Sequence, residues 1–272
     1  MATETGQKNM VVRGAIQVPL DDNPLLEQVL DLVNSNVEIK TLWEITNVNA
    51  VTRLGMTDHG PMHFQIVANN ALKLQRLLVA RGITMSICRD FGLSEHHAEV
   101  VVLLASLLHD LGMSIHRRGH EEFSLFLTNT LLRENLAMLP IRERTIVISE
   151  VLHAIISHRS DGKPLTIEAG IVRVADALDM TQGRSRIPYA PEQVSIHSVS
   201  AMAIDSIEIK AGEYLPVEID ITMNHTAGIF QVDELFNKKV AGSGIERYLQ
   251  IKIFMDKGDG RQLFKDSYQS KN

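Results

Sequence analysis

The stretch EVVVLLASLLHDLGMSIHRRGH, residues 99–120, decides how this chain is read. From Val100 to Leu108 it is apolar on nearly every side, which predicts the most buried helix of the protein. Near Gly112 the pattern breaks into histidines, an aspartate and arginines. Polar groups left unpartnered at the lip of a core cost about 1–3 kcal/mol each. His109 and Asp110 therefore need something to bind.

On either side of this stretch the spacing is helical. Residues 23–57 carry apolar positions such as Leu26, Val29, Leu30 and Val33, then Leu42 and Ile45, and read as two helices behind an irregular lead-in. HFQIVANNALKLQRLLVARG, from His63, is an amphipathic helix with Gly82 as its stop, and Ser94 is placed to cap the apolar helix. His120 to Leu132, Arg144 to His158 and Ile167 to Met180 read as further helices. The pattern then changes near Pro188 and Pro191. Ile204, Ile207 and Ile209 alternate with polar residues, as do Val217, Ile219, Ile221 and Met223, and Leu249, Ile251 and Ile253; these are strand signals. Residues 230–248 suggest one helix and a glycine turn, and the last dozen residues are expected to fray. The prediction is a mainly α protein: a helical domain with an N-terminal helical extension over 1–188, followed by a small α+β domain over 189–272.

A chain of 272 residues, 44% hydrophobic and 22% charged, is long enough to bury a real core. Its net charge of −6 supplies no general basic field, so nucleic acid is not an expected partner. One cysteine, Cys88, excludes an internal disulfide and a cysteine metal cage. The N-terminus lacks a signal-peptide core, and Val100 to Leu108 falls far short of a membrane span, so the expected location is the cytoplasm, away from membranes. Histidine is abundant and unevenly placed: nine of the eleven lie between His59 and His158.

Those histidines sit at helix ends. His59 and His63 are four apart and share a helix face, as do His116 and His120. His109 and Asp110 close the buried helix, His153 and His158 end another, and Asp176 and Asp179 lie three apart on the last. Imidazole and carboxylate are ligands for divalent metals, and an ion would satisfy polar groups on otherwise apolar helices. Each residue also has a plainer reading. Asp176 can pair with Arg173, His120 can simply open its helix, and His158 can face a helix dipole. Asp179 reads as a surface residue or as one that orients a ligand.

The order of the parts carries more. His63 followed by Val67 and Ala71, then LLHDLG, His120, His158 and VADALD, resembles the HD-domain metal-dependent phosphohydrolases over about residues 57–182. SHRSDGKP is loosely similar to the HHExxDGxGYP stretch of the HD-GYP branch, with one histidine in place of two and no GYP ending, so cyclic-di-GMP hydrolysis is not assigned. The resemblance implies an HD-domain helical bundle. It implies one or two divalent ions (Mn, Fe, Mg or Zn), the first held by His63, His109, Asp110 and Asp176. Asp110 would bridge to a second ion held by His120 and His158, with His153 competing for the latter place and His59 holding a further ion or touching substrate. His109 and Asp110 would be the catalytic pair. The implied reaction is metal-assisted hydrolysis of a phosphoester or nucleotide. His116, Arg117, Arg118, Arg159, Lys163 and Arg184 are the candidates to meet a small phosphorylated substrate. The C-terminal domain is expected to build a homo-oligomer, such as a dimer. The alternative is a catalytically silent, metal-containing protein that senses a nucleotide.

Overall fold

The apolar run forms α5 (Glu95–Leu108), with Ala98 and every residue from Val100 to Leu108 buried. It is the axis of a helical bundle. Around it pack α1 (Pro24–Ser35), α3 (Pro61–Ala80), α7 (Ile141–Ser157) and α8 (Ile167–Ala177). The buried Trp43, on α2 (Val37–Asn47), donates its indole N–H to the Leu107 carbonyl at 2.8 Å, so even its polar atom is matched at the end of α5. The computed structural model describes residues 15–159, 161–181, 200, 202–256 and 261–267. Glu95–Ser114 is apolar and long enough to cross a membrane by length and composition alone; 83% of its most apolar window is buried inside the protein.

Local chemistry sets the helix ends. Asn23 accepts from the Leu26 N–H ahead of Pro24, Asn36 accepts from Ile39, and Thr166 accepts from Ala169. One short helix, α4 (Ser86–Phe91), was not expected from periodicity. Its first N–H groups, on Ser86 and Ile87, donate to the fully buried carboxylate of Glu168 at 3.2 and 2.9 Å. That cap comes from a side chain far along the sequence. α6 (His120–Asn135) completes the helices of the bundle named above.

The C-terminal domain is a four-stranded sheet in the order β1-β2-β3-β4, comprising β1 (Ile204–Ala211), β2 (Val217–Met223), β3 (Leu249–Asp256) and β4 (Arg261–Ser267). β1 and β4 pair antiparallel with their neighbours, while β2 and β3 are parallel. The β2–β3 crossover contains α9, which runs from Gly228–Phe230 through a π-helical stretch, Gln231–Phe236, to Asn237–Val240. Register aligns Ile209, Ile219 and Ile251 in one apolar row and Ile207, Ile221 and Ile253 in another. The alternate positions set Lys210 opposite Glu218 and Asp220 opposite Lys252. β4 corrects the expectation of a frayed tail. Residues 261–267 form an edge strand because β3 supplies the hydrogen-bonding partner, although RQLFKDS itself holds little apolar alternation. The sheet packs on α3, and α9 packs on α8. The predicted boundary at 188–192 lies outside the described residues.

Candidate metal centre

Five helix ends converge at one end of the bundle. His63 stands in the first turn of α3, His109 and Asp110 follow α5, His120 opens α6, His158 caps the end of α7, and Asp176 lies in the last turn of α8. Gly112 makes the approach of α5 to α6 possible. A Cβ there would lie 2.0 Å from the His120 carbonyl oxygen and 2.6 Å from the Ser124 nitrogen. Instead the Gly112 N–H donates to Ser124 Oγ at 2.8 Å, and that hydroxyl donates to the His109 carbonyl at 2.6 Å. The glycine of LLHDLG thus brings the HD pair against His120.

All six side chains are buried, and their ligand atoms face each other. His63 Nε2 lies 3.2 Å from His109 Nε2 and 3.5 Å from Asp176 Oδ1, and His109 Nε2 lies 3.7 Å from the same oxygen. Asp110 divides the cluster. Its Oδ2 faces His109 at 3.4 Å and His63 at 3.9 Å, while its Oδ1 faces His120 Nε2 at 3.0 Å and His158 Nε2 at 3.9 Å. Two lobes share one carboxylate. Among the described residues, the groups whose ligand atoms come close enough to hold an ion are His63–His109–Asp176, His109–Asp110–His158 and His120–Glu121–His158.

The second nitrogen of each ring fixes its orientation. His109 Nδ1–H donates to the Ser106 carbonyl at 2.9 Å and His158 Nδ1–H to that of Ile155 at 2.6 Å, while His120 Nδ1 lies 2.9 Å from both the carbonyl oxygen and Nη1 of Arg117. His63 Nδ1–H donates to Asp179 Oδ2 at 2.6 Å, so Asp179 orients a cluster member. Carbonyls and an ionised carboxylate only accept, so in neutral His63, His109 and His158 the proton is on Nδ1 and the Nε2 lone pair points inward. Lone pairs on His63 and His109 facing each other at 3.2 Å repel unless a cation or a shared proton lies between them. These donors fit a divalent cation.

The electrostatics agree. Burial works against charge on Asp110, yet His109 and His120 outweigh it and hold the carboxyl well below the usual range. Burial likewise opposes charge on Asp176, where Lys239 leads the groups that keep it ionised. Burial disfavours charge on His109 too, but Asp110 and Asp176 raise its proton affinity. His158 goes the other way: burial, His109 and Lys239 push it down to about 3, which keeps it neutral. A pocket that draws positive charge to His109 draws a metal ion by the same field.

The HD-domain family model matches residues 78–181. Over 232 residues the chain is 40% identical to the uncharacterised protein MJ1020 of Methanocaldococcus jannaschii, covering 85% of this chain and 90% of that protein. The chain belongs to the HD-domain superfamily. No solved structure matches it. HD domains bind divalent metals and are generally metal-dependent hydrolases. The match does not confirm the HD-GYP branch. His63 precedes the matched segment of the HD domain, and only the fold brings it to the centre.

Other predicted residues of the HD domain lie differently. His153 is not part of the converging groups. Five residues before His158, it points about 140° away around the helix; its Nε2 accepts the Leu165 N–H at 2.9 Å, and burial lowers its pKa. His59 is buried beside His63, ring centroids 5.6 Å apart, and donates from Nδ1 to the Thr57 carbonyl at 2.7 Å; it belongs to none of those groups. His116, Arg117 and Arg118 are exposed on the turn before α6, and Arg117 Nη1 reaches 2.9 Å from His120 Nδ1. Arg159 is engaged by Asp161 at 2.6 Å and Glu122 at 2.9 Å. Lys163 is exposed, and Arg184 lies outside the described residues. Arg173 does not pair with Asp176. It donates to backbone carbonyls, including that of Lys239, and Asp176 takes the Lys239 ammonium instead. Sequence reasoning passed over Lys239, which sits in the other domain with no spacing that links it to Asp176, and Glu121, which adjoins His120.

Proposed function

We propose that this protein hydrolyses a small phosphorylated compound, a phosphoester or a nucleotide, in a reaction that depends on divalent metal. The observation that carries the reading is the division of Asp110, one oxygen toward each half of a buried histidine cluster whose Nε2 lone pairs face inward. His63, His109, Asp110 and Asp176 would hold one ion, and Asp110, His120 and His158 a second. A bound divalent ion supplies Lewis acidity to water and to a phosphoryl oxygen. Asp179, Ser106, Ile155 and Arg117 keep the four rings in the orientation this needs. The burial of α5 behind His109 excludes bulk water from the rear of the centre. Arg117, exposed beside His120, would meet substrate phosphate.

Metal analysis and assay of Asp110→Ala test this. Wild-type protein is expected to carry tightly held transition metal and to hydrolyse p-nitrophenyl or bis-p-nitrophenyl phosphate, or a nucleotide from a panel, with Mn²⁺ present. Asp110→Ala should lose metal and turnover together. Hydrolysis at the normal rate by Asp110→Ala overturns the assignment.

A further inference from the structure

We propose that Lys239, a residue of the C-terminal domain, is a phosphate-binding group of the active centre. The inference rests on the metal-dependent reading above and extends it to the second domain.

α8 offers three residues, spaced by three, to the segment that ends α9 and follows it. At Gly170, a Cβ would lie 2.3 Å from the Ser243 carbonyl oxygen, so only glycine permits this approach. One turn on, the buried guanidinium of Arg173 donates to the carbonyls of Lys238 at 3.1 Å, Lys239 at 2.7 Å and Ala241 at 3.4 Å. Its other donors hold the carbonyls of Arg159 and Gly162, in the loop after His158. A further turn on, Asp176 Oδ2 accepts from Lys239 Nζ. Backbone and side chain of Lys239 are therefore both fixed by the helix that carries Asp176. A solvated surface lysine has no such double anchor.

The anchored ammonium sits where an anion would arrive. Asp176 turns Oδ1 toward His63 and His109 and gives Oδ2 to Lys239, so the lysine lies across one carboxylate from the first ion position. Its side chain is 21% exposed against 10% for Asp176, so the ammonium is the more open of the two to solvent. An ammonium carries three donors and Asp176 occupies one of them. A phosphoryl oxygen entering beside Asp176 would meet the remaining donors of Lys239. The C-terminal domain then helps to build the site as well as packing on the bundle.

Calorimetry separates the possibilities. Wild-type protein and Lys239→Gln are titrated with Mn²⁺, and the Mn²⁺-loaded proteins are then titrated with inorganic phosphate. Removing a positive charge beside a cation site relieves repulsion, so Lys239→Gln should bind Mn²⁺ at least as tightly as wild type. Its phosphate affinity should fall about 10- to 100-fold. Lys239→Arg should recover most of that loss, and Lys238→Gln should show none of it. With bis-p-nitrophenyl phosphate as substrate, the Lys239→Gln defect should fall mainly on KM. Retained Mn²⁺ binding establishes that the variant is folded, and Lys239→Met provides a second uncharged side chain. Unchanged phosphate affinity in both uncharged variants overturns the proposal while leaving the metal-dependent reading intact. Loss of Mn²⁺ binding in both also overturns it, since the lysine would then act only as a support for Asp176. Wild-type protein that binds no Mn²⁺ defeats the metal-dependent reading and this inference together.

Discussion

At the scale of single residues, the chemistry of the centre depends on groups that would never touch an ion. Asp179 accepts from His63 Nδ1–H at 2.6 Å in a fully enclosed position, which fixes the ring and raises the donor strength of Nε2. Asp179→Ala is therefore expected to weaken Mn²⁺ binding about 10- to 100-fold with the helical content unchanged. Calorimetry beside circular dichroism checks this, and equal Mn²⁺ affinity would remove Asp179 from the centre. The family resemblance named His63, His109, Asp110, His120, His158 and Asp176 together with His153 and His59, and the fold brings the first six together. It did not reach Lys239, because a lysine in a different domain has no periodic relation to the aspartate it meets. Nor did it separate His153 from His158. That choice depends on where α7 ends and on how far around the helix each ring points.

Among the elements, the turn after α5 carries the tightest constraint. α5 is buried without a break from Val100 to Leu108, so its end is held in place by the packing of α1, α3, α7 and α8. The chain must then pass under the start of α6, and at Gly112 no room exists for a side chain. Gly112→Ala should cost about 1–3 kcal/mol of stability and part His120 from Asp110. Thermal unfolding and Mn²⁺ titration measure the two effects, and a variant with wild-type values for both would show that the turn yields freely. Helices α3, α5, α6, α7 and α8 were legible because their apolar residues recur at helical spacing. α4 was not, because its cap is the Glu168 carboxylate from α8. β4 was not, because an edge strand takes its definition from the neighbour it pairs with.

At the scale of the whole molecule, the two ends of the bundle carry opposite chemistry. Where the helix ends converge on Asp110 and Asp176, the carboxylates are held ionised. Nearer the other ends of α5 and α8, Glu150 has a buried oxygen without a hydrogen-bond partner, and burial, reinforced by Glu168 and Asp90, pushes its pKa up to about 7. Its folded pKa exceeds the ordinary 4.5, so the folded state keeps the proton longer than the unfolded chain. Stability from this group is fully present below about pH 4.5 and is lost as pH rises through about 7. Glu150→Gln, which is neutral throughout, should raise the Tm at pH 8 by about 2–4 °C, allowing for solvent screening of a half-buried group, and by almost nothing at pH 4.5. Scanning calorimetry at both values decides it; a gain of equal size at both pH values would rule out titration as the cause. The sequence by itself determined a helical bundle, an α+β tail and a set of metal-binding residue types, because periodicity and side-chain chemistry are local properties. Only the tertiary structure decided which ring nitrogens point inward, that His153 stays out of the converging groups, and that α8 grips the second domain through Gly170, Arg173 and Asp176. Those relations join atoms distant along the chain, and packing alone sets such distances.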